Sequence, residues 1–234
     1  MDTLKMFQKF RLTVSLLILT LLTSYGLFAQ LNDENIYLLV GLSDFNKGPV
    51  RQLNLPDENN KINEFYANDT SLVSLYKRQL EIAGFEIDGF EFRKINTIDG
   101  LSGPAIYSTK YSSRFNSFFR AKYLFYRYEE DTDFKIKIYS LVLKRKKFKS
   151  LNQKLLFLKG LFTRYGNVRD GVYQIKVDSD GRNMRLIKKL IKDTDSKILH
   201  HTRTTDLIPG TQTITFMPSM ILKDFISNSI GNMN

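Results

Sequence analysis

Apolar residues recur at two spacings along this chain, and the spacing divides it into elements. Between Leu151 and Tyr165 they fall at 151, 155, 158, 162 and 165, with 156, 157 and 161 widening the stripe, and Gly166 follows. That pattern predicts a helix with a broad buried face. From a cap at Asp69 or Thr70, residues Leu72, Leu75, Tyr76, Leu80 and Ala83 keep helical spacing up to the stop at Gly84. Met184, Ile187, Leu190 and Ile191 line a third helix over 182–192, and Ser219 is placed to cap a short last one reaching Ile226.

Alternation with period two marks the strands. Phe134, Ile136 and Ile138 alternate with Lys135, Lys137 and Tyr139, and Ala121 to Tyr128 alternates ahead of the polar connection Glu129-Glu130-Asp131-Thr132-Asp133. The pair predicts a long antiparallel hairpin. Val172 to Val177 and Gln212 to Met217 predict two more strands. Ile36-Tyr37-Leu38-Leu39-Val40 is a continuous apolar run rich in strand formers, and it predicts a strand before the loop 43–49. Phe85 to Ile95, broken at Asp88-Gly89, suits a hairpin or a bulged strand, while 96–104 is turn-rich and 198–208 has no clear period.

The sum predicts one α+β domain over residues 30–234, with a mainly antiparallel sheet and helices packed on one side. Two small lobes divided near 146–150 are the alternative. No internal repeat stands out.

The first thirty residues change the picture. Lys5, Lys9 and Arg11 precede an apolar stretch from Leu12 to Leu22, and a mixed small segment ends at Ala29. This layout predicts a secretory signal peptide over 1–29, of the kind bacterial chains carry, and therefore export to the periplasm, the outer surface or the medium. An uncleaved N-terminal anchor is the rival reading.

The whole chain of 234 residues carries 35 Lys and Arg against 24 Asp and Glu, a net charge of +11, of which +9 stays after loss of the leader. It has no cysteine and two histidines, His200 and His201. Disulfide scaffolds, thiolate metal sites and catalytic cysteines are therefore excluded, and a transition-metal centre is disfavoured. No Walker A, HExxH or GxGxxG string occurs, and no cofactor, metal or catalytic residue is assigned.

Two cationic runs form the candidate binding surface: Lys144, Arg145, Lys146, Lys147 and Lys149, and Arg182, Arg185, Lys188, Lys189 and Lys192. Clustered cations raise the local potential and attract anionic polymers or headgroups. Cations also interleave with aromatics at Arg114-Phe115, at Phe118-Phe119-Arg120 and from Lys122 to Arg127, as on single-strand stacking platforms; a strand with one buried aromatic face gives the same pattern. Asp178-x-Asp180-Gly181-x-Asn183 departs from a calcium loop, since Gly is fourth and Arg182 takes a ligand position; it suits a strand-to-helix turn. Gly100-Leu101-Ser102-Gly103-Pro104 lacks the full pattern around a nucleophilic serine.

These observations predict an exported, non-catalytic envelope or secreted protein, binding or structural, with a basic aromatic surface. Its expected partner is anionic lipid, glycan or an envelope protein, and nucleic acid does not suit an exported chain. The alternative is a small secreted hydrolase built on a carboxylate pair or on Ser102. The apolar tail 218–230 is expected to dock on the core.

Overall fold

A computed structural model describes residues 34–44, 51–52, 56–96, 102–128, 135–178, 181–204 and 211–230. The predicted leader over 1–29, the acidic connection 129–133 and Asp180 lie outside the described residues.

Helix α1 (34–41) opens the described chain. It occupies the run predicted as a strand. The reason is burial on all sides: Leu39, Val40 and Leu42 are fully buried, and a helix enclosed all round is as uniformly apolar as a central strand. There follow β1 (Arg51–Gln52), β2 (Lys61–Glu64), α2 (Thr70–Ile82), β3 (Glu91–Asn96), β4 (Ser102–Tyr107) and α3 (Ser112–Asn116). The hairpin β5 (Phe119–Tyr128) and β6 (Lys135–Leu143) comes next. The chain continues through α4 (Leu151–Tyr165), β7 (Gly166–Arg169), β8 (Val172–Asp178), α5 (Arg182–Lys192), β9 (Lys197–Arg203), β10 (Thr211–Met217) and α6 (Met220–Ile230).

The class is α+β. Among the described residues the strands form three antiparallel sheets rather than one, in the orders β1-β6-β5, β2-β4-β3 and β7-β8-β10-β9. The turn-rich stretch before Pro104 carries β4, a central strand paired on both sides. The stretch without a period is the edge strand β9, whose side chains are nearly all exposed and so leave no alternating signature.

The topology also corrects the reading that the chain has no repeat. Strand, helix, strand, strand runs as β2-α2-β3-β4 and again as β8-α5-β9-β10. In each run the third strand lies between the other two, antiparallel to both. A buried helix precedes each run, α1 in the first half and α4 in the second. The hairpin β5–β6 is inserted between the halves. The second half starts where Ser150 caps α4 in a reciprocal arrangement with Gln153.

The halves meet where α1 crosses α4. A Cβ built on Gly41 would lie 2.2 Å from the Phe157 carbonyl oxygen, and one on Gly160 would lie 2.1 Å from that of Leu38. Neither position has room for a side chain, so the two backbones touch directly. The helices run the same way. Tyr37 donates to the Lys147 carbonyl near their N-terminal ends, and Arg164 donates to the Leu42 carbonyl at their C-terminal ends. Around the crossing, Leu39, Leu42, Phe157 and Leu161 are fully buried, each such side chain contributing about 1.5–3 kcal/mol.

Candidate functional site

The C-terminal ends of α1 and α4 converge on a polar cluster in which Arg164 is central. Its side chain is 3% exposed. The guanidinium donates to the carbonyls of Leu42 at 2.8 Å and Glu64 at 2.9 Å. It lies 4.0 Å from the Asp44 carboxylate and 3.8 Å from that of Asp69. The rings of Phe65 and Tyr165 stand 5.1 and 5.4 Å from its carbon. Tyr165 donates from its hydroxyl to Asp44 at 3.1 Å, and Asn63 accepts from the Asp44 amide at 2.9 Å. One residue of the second half thus binds a helix end, a strand and two carboxylates of the first. Burial of a guanidinium needs this degree of pairing. Tyr76 lies beneath, fully buried, and burial drives its hydroxyl pKa far up.

From this cluster α4 runs directly into β7, so the cluster borders the sheet β7-β8-β10-β9. One face of that sheet packs inward through Tyr173, Ile175, Val177, Ile214 and Phe216, all buried. Alternation puts the intervening residues on the other face. The register there aligns Asn167, Gln174, Thr215 and His200 in a row across all four strands. Lys176, Thr213 and Thr202 form the row on one side of it, and Arg169, paired with Val172, belongs to the row on the other side. Each is exposed or half-buried. His201 points the other way, toward α5, 3.3 Å from the Lys188 amine and 3.2 Å from Gln212.

The corresponding face of β2-β4-β3 is charged and internally neutralised. Lys61 pairs with Glu58 at 3.1 Å and Glu64 at 3.4 Å. Arg93 pairs with Asp57 and Glu91 and stacks over Tyr107.

The cationic runs singled out from the sequence lie elsewhere. Lys144 to Lys149 lead into α4 and surround the N-terminal ends of the crossing helices. The Asn183 side chain accepts from the Leu143 amide and donates to the Leu141 carbonyl, which fixes the first turn of α5 beside the end of β6. The two runs are therefore neighbours. Lys144 and Lys147 are partly spent on Ser117. Asp193 is held below the usual carboxylate range by hydrogen bonds from Lys154 and Lys189. Among the described residues no group of three or more His, Asp or Glu is placed to hold a metal ion.

Sequence reasoning missed Arg164, the two crossing glycines and the open sheet. A signal for the crossing existed. Leu39-Val40-Gly41-Leu42 and Leu158-Lys159-Gly160-Leu161 repeat Leu-x-Gly-Leu, and the two glycines are the ones that touch. Of the expected basic aromatic surface, Phe115, Phe118 and Phe119 are buried in the core, whereas Tyr123 is exposed. Their alternation with cations records one inward and one outward face. Ser102 pairs with Asn96 in one sheet, while His200 and His201 belong to another.

No family model matches the sequence, and no curated protein is recognisably similar to it. Solved structures do show a likeness of fold. The homing endonuclease I-DmoI in complex with DNA and manganese is 12% identical, with 84% of this chain and 94% of that chain covered and a TM-score of 0.46. Mesophilic variants of the same endonuclease give 11%, 84%, 95% and 0.45. The N-terminal LAGLIDADG domain of DUF199/WhiA gives 13%, 83%, 83% and 0.41.

These neighbours correct the functional expectations. The exported, non-catalytic envelope or secreted protein, its secreted or periplasmic placement and the small secreted hydrolase are all withdrawn, because the solved structures of like fold are an endonuclease crystallised on DNA and a LAGLIDADG domain. The preference for lipid, glycan or envelope partners over nucleic acid is withdrawn on the same finding. Among the described residues no helix is long and apolar enough to cross a membrane.

Proposed function

We propose that this chain binds double-stranded DNA and reads sequence with the open face of β7-β8-β10-β9. The observation that carries this reading is the row Asn167, Gln174, Thr215 and His200 beside the row Lys176, Thr213 and Thr202. Amide, hydroxyl and amine groups are the types that read base edges: Asn and Gln pair bidentately with adenine, Lys with guanine, and Thr with either partner or a thymine methyl. Strands are an established means of entering a groove. The chain is strongly cationic overall.

Selection from a random duplex library tests the reading directly. The expected result is enrichment of a defined sequence by the native chain. The triple variant Asn167→Ala, Gln174→Ala, Thr215→Ala should lose the enrichment and keep weak, salt-sensitive binding, because phosphate contacts position while base contacts specify. Absence of duplex binding at low salt, or enrichment unchanged in the triple variant, would overturn it.

A further inference from the structure

The outward face of β7-β8-β10-β9 is graded along its two central strands. On β8 the outward positions are Val172, Gln174 and Lys176, because Tyr173, Ile175 and Val177 between them are buried. On β10 they are Met217, Thr215 and Thr213, because Ile214 and Phe216 face the core. The antiparallel register sets Gln174 opposite Thr215 and Lys176 opposite Thr213, and its next step beyond Tyr173 and Phe216 brings Met217 level with Val172. Three rungs result: an apolar pair, an amide with a hydroxyl, and an amine with a hydroxyl. Same-face neighbours on an antiparallel strand stand about 6.8 Å apart, and a DNA strand rises about 3.4 Å per nucleotide. A ribbon lying along the major groove therefore meets every second base pair.

The edge strands complete the frame. β7 and β9 flank the ribbon, about 14 Å apart over three strand spacings, against a major groove about 12 Å wide. At the level of the apolar rung they carry Arg169, paired with Val172, and Lys197, paired with Met217. Both cations are exposed. Asp170 lies 3.7 Å from Arg169 and is as exposed as its partner, and such a pair is too weak to withhold the guanidinium from a phosphate. With the central strands over the groove floor, the edges reach its two walls.

We infer that β8 and β10 read alternate base pairs of a DNA site of about five base pairs, in the order A·T, any, A·T, any, G·C, while Arg169 and Lys197 hold the two backbones at its first A·T end. The inference rests on the sheet reading and adds an order of bases to it. At the first rung Val172 and Met217 have only apolar surface to offer, and the thymine methyl is the apolar group of the major groove. At the second, the Gln174 amide pairs bidentately with adenine; at the third, Lys176 donates to guanine O6 and N7. Thr215 and Thr213 face the other base of each pair with a hydroxyl that both donates and accepts. An RNA duplex does not fit, since its major groove is too deep and narrow for side chains to read.

The test is selection from a random DNA duplex library with the full chain and with three variants at outward positions: Lys176→Gln, Gln174→Lys, and Arg169→Gln with Lys197→Gln. The native chain is expected to enrich a motif whose fixed positions lie two base pairs apart. Lys176→Gln should convert the G·C position to A·T and leave the other two, and Gln174→Lys should convert the middle A·T to G·C. On defined duplexes each exchange should change relative affinity at least about fivefold. The edge variant should keep the motif, weaken all sequences alike and lower the salt slope by about 1.8, or 0.9 for each phosphate released. Absence of any enriched sequence overturns the sheet reading and this order with it. An enriched motif whose fixed positions are not two base pairs apart, or that stays unchanged in both exchange variants, overturns this inference and leaves the sheet reading intact. A changed motif in the edge variant overturns the assignment of Arg169 and Lys197 to the backbones.

Discussion

The two halves share one topology and present opposite surfaces. In the first half, the outward face of β2-β4-β3 spends its charges on itself: Lys61 and Arg93 each hold two carboxylates. In the second, the outward face of β7-β8-β10-β9 carries uncharged hydrogen-bonding side chains with Arg169 and Lys176 among them. A cation engaged by two carboxylates is a poor phosphate ligand, because the ion pairs must break first. An Asn, Gln or Thr on an open strand is hydrated and exchanges water for a base edge at little cost. On the proposed reading, the second half reads and the first supports.

The largest expected effect removes the frame on which the comparison rests. Gly160→Leu drives a side chain into the Leu38 carbonyl, and equilibrium urea unfolding should show a loss above about 4 kcal/mol, or no cooperative transition. Gly41→Leu should do the same from the other half. Next comes the tie between the halves. Arg164→Met leaves Asp44 and Asp69 without their cation and should cost about 3–5 kcal/mol. Arg164→Lys should recover only part of this, because an amine cannot reach two carbonyls and two carboxylates in the guanidinium's geometry. Equal stability of the two variants would refute the tie.

A smaller effect concerns the faces themselves. Asp57→Asn with Glu91→Gln releases Arg93 and should turn the supporting face into a phosphate-binding one. Non-specific duplex affinity should rise about threefold or more and the salt slope should steepen by about 0.9, while the urea midpoint stays where it is, as for exposed ion pairs. An unchanged salt slope would show that the ion pairs are not what silences the first half.

The smallest effect lies in the acid limb of the pH–stability curve. Hydrogen bonds from Lys154 and Lys189 hold the Asp193 carboxyl below its ordinary value. A carboxylate lowered in the folded state stabilises it above the unfolded pKa of about 3.9, and the benefit disappears as pH falls through the lower folded value. Asp193→Asn should therefore lose under about 1 kcal/mol at pH 7 and converge with the native chain once pH has fallen through the lowered folded value.

The second half was more legible than the first. Over α4, β8, α5 and β10 the inward residues alternate or recur cleanly, since each element buries one face and wets the other. In the first half α1 is enclosed on all sides, so its sequence lost the polar positions that would have marked a helix. β4 is short and contains Gly103 and Pro104, which read as a turn. β9 was invisible for the opposite reason, because an exposed edge strand has no apolar phase. Arg164 could not be found by pattern at all. A single cation on a helix is ordinary until folding brings Asp44 and Asp69 to it from more than ninety positions upstream.

The glycine crossing also sets a timetable for synthesis. The face of α1 at Gly41 has its partner in α4, more than a hundred positions later in the chain. At about 5–20 residues per second, the ribosome needs roughly 6–24 s to supply that partner. During this interval the side of α1 that will meet α4 has nothing native to pack against. The first half must wait for the second, and attendance by a chaperone over those seconds would suit a helix this apolar.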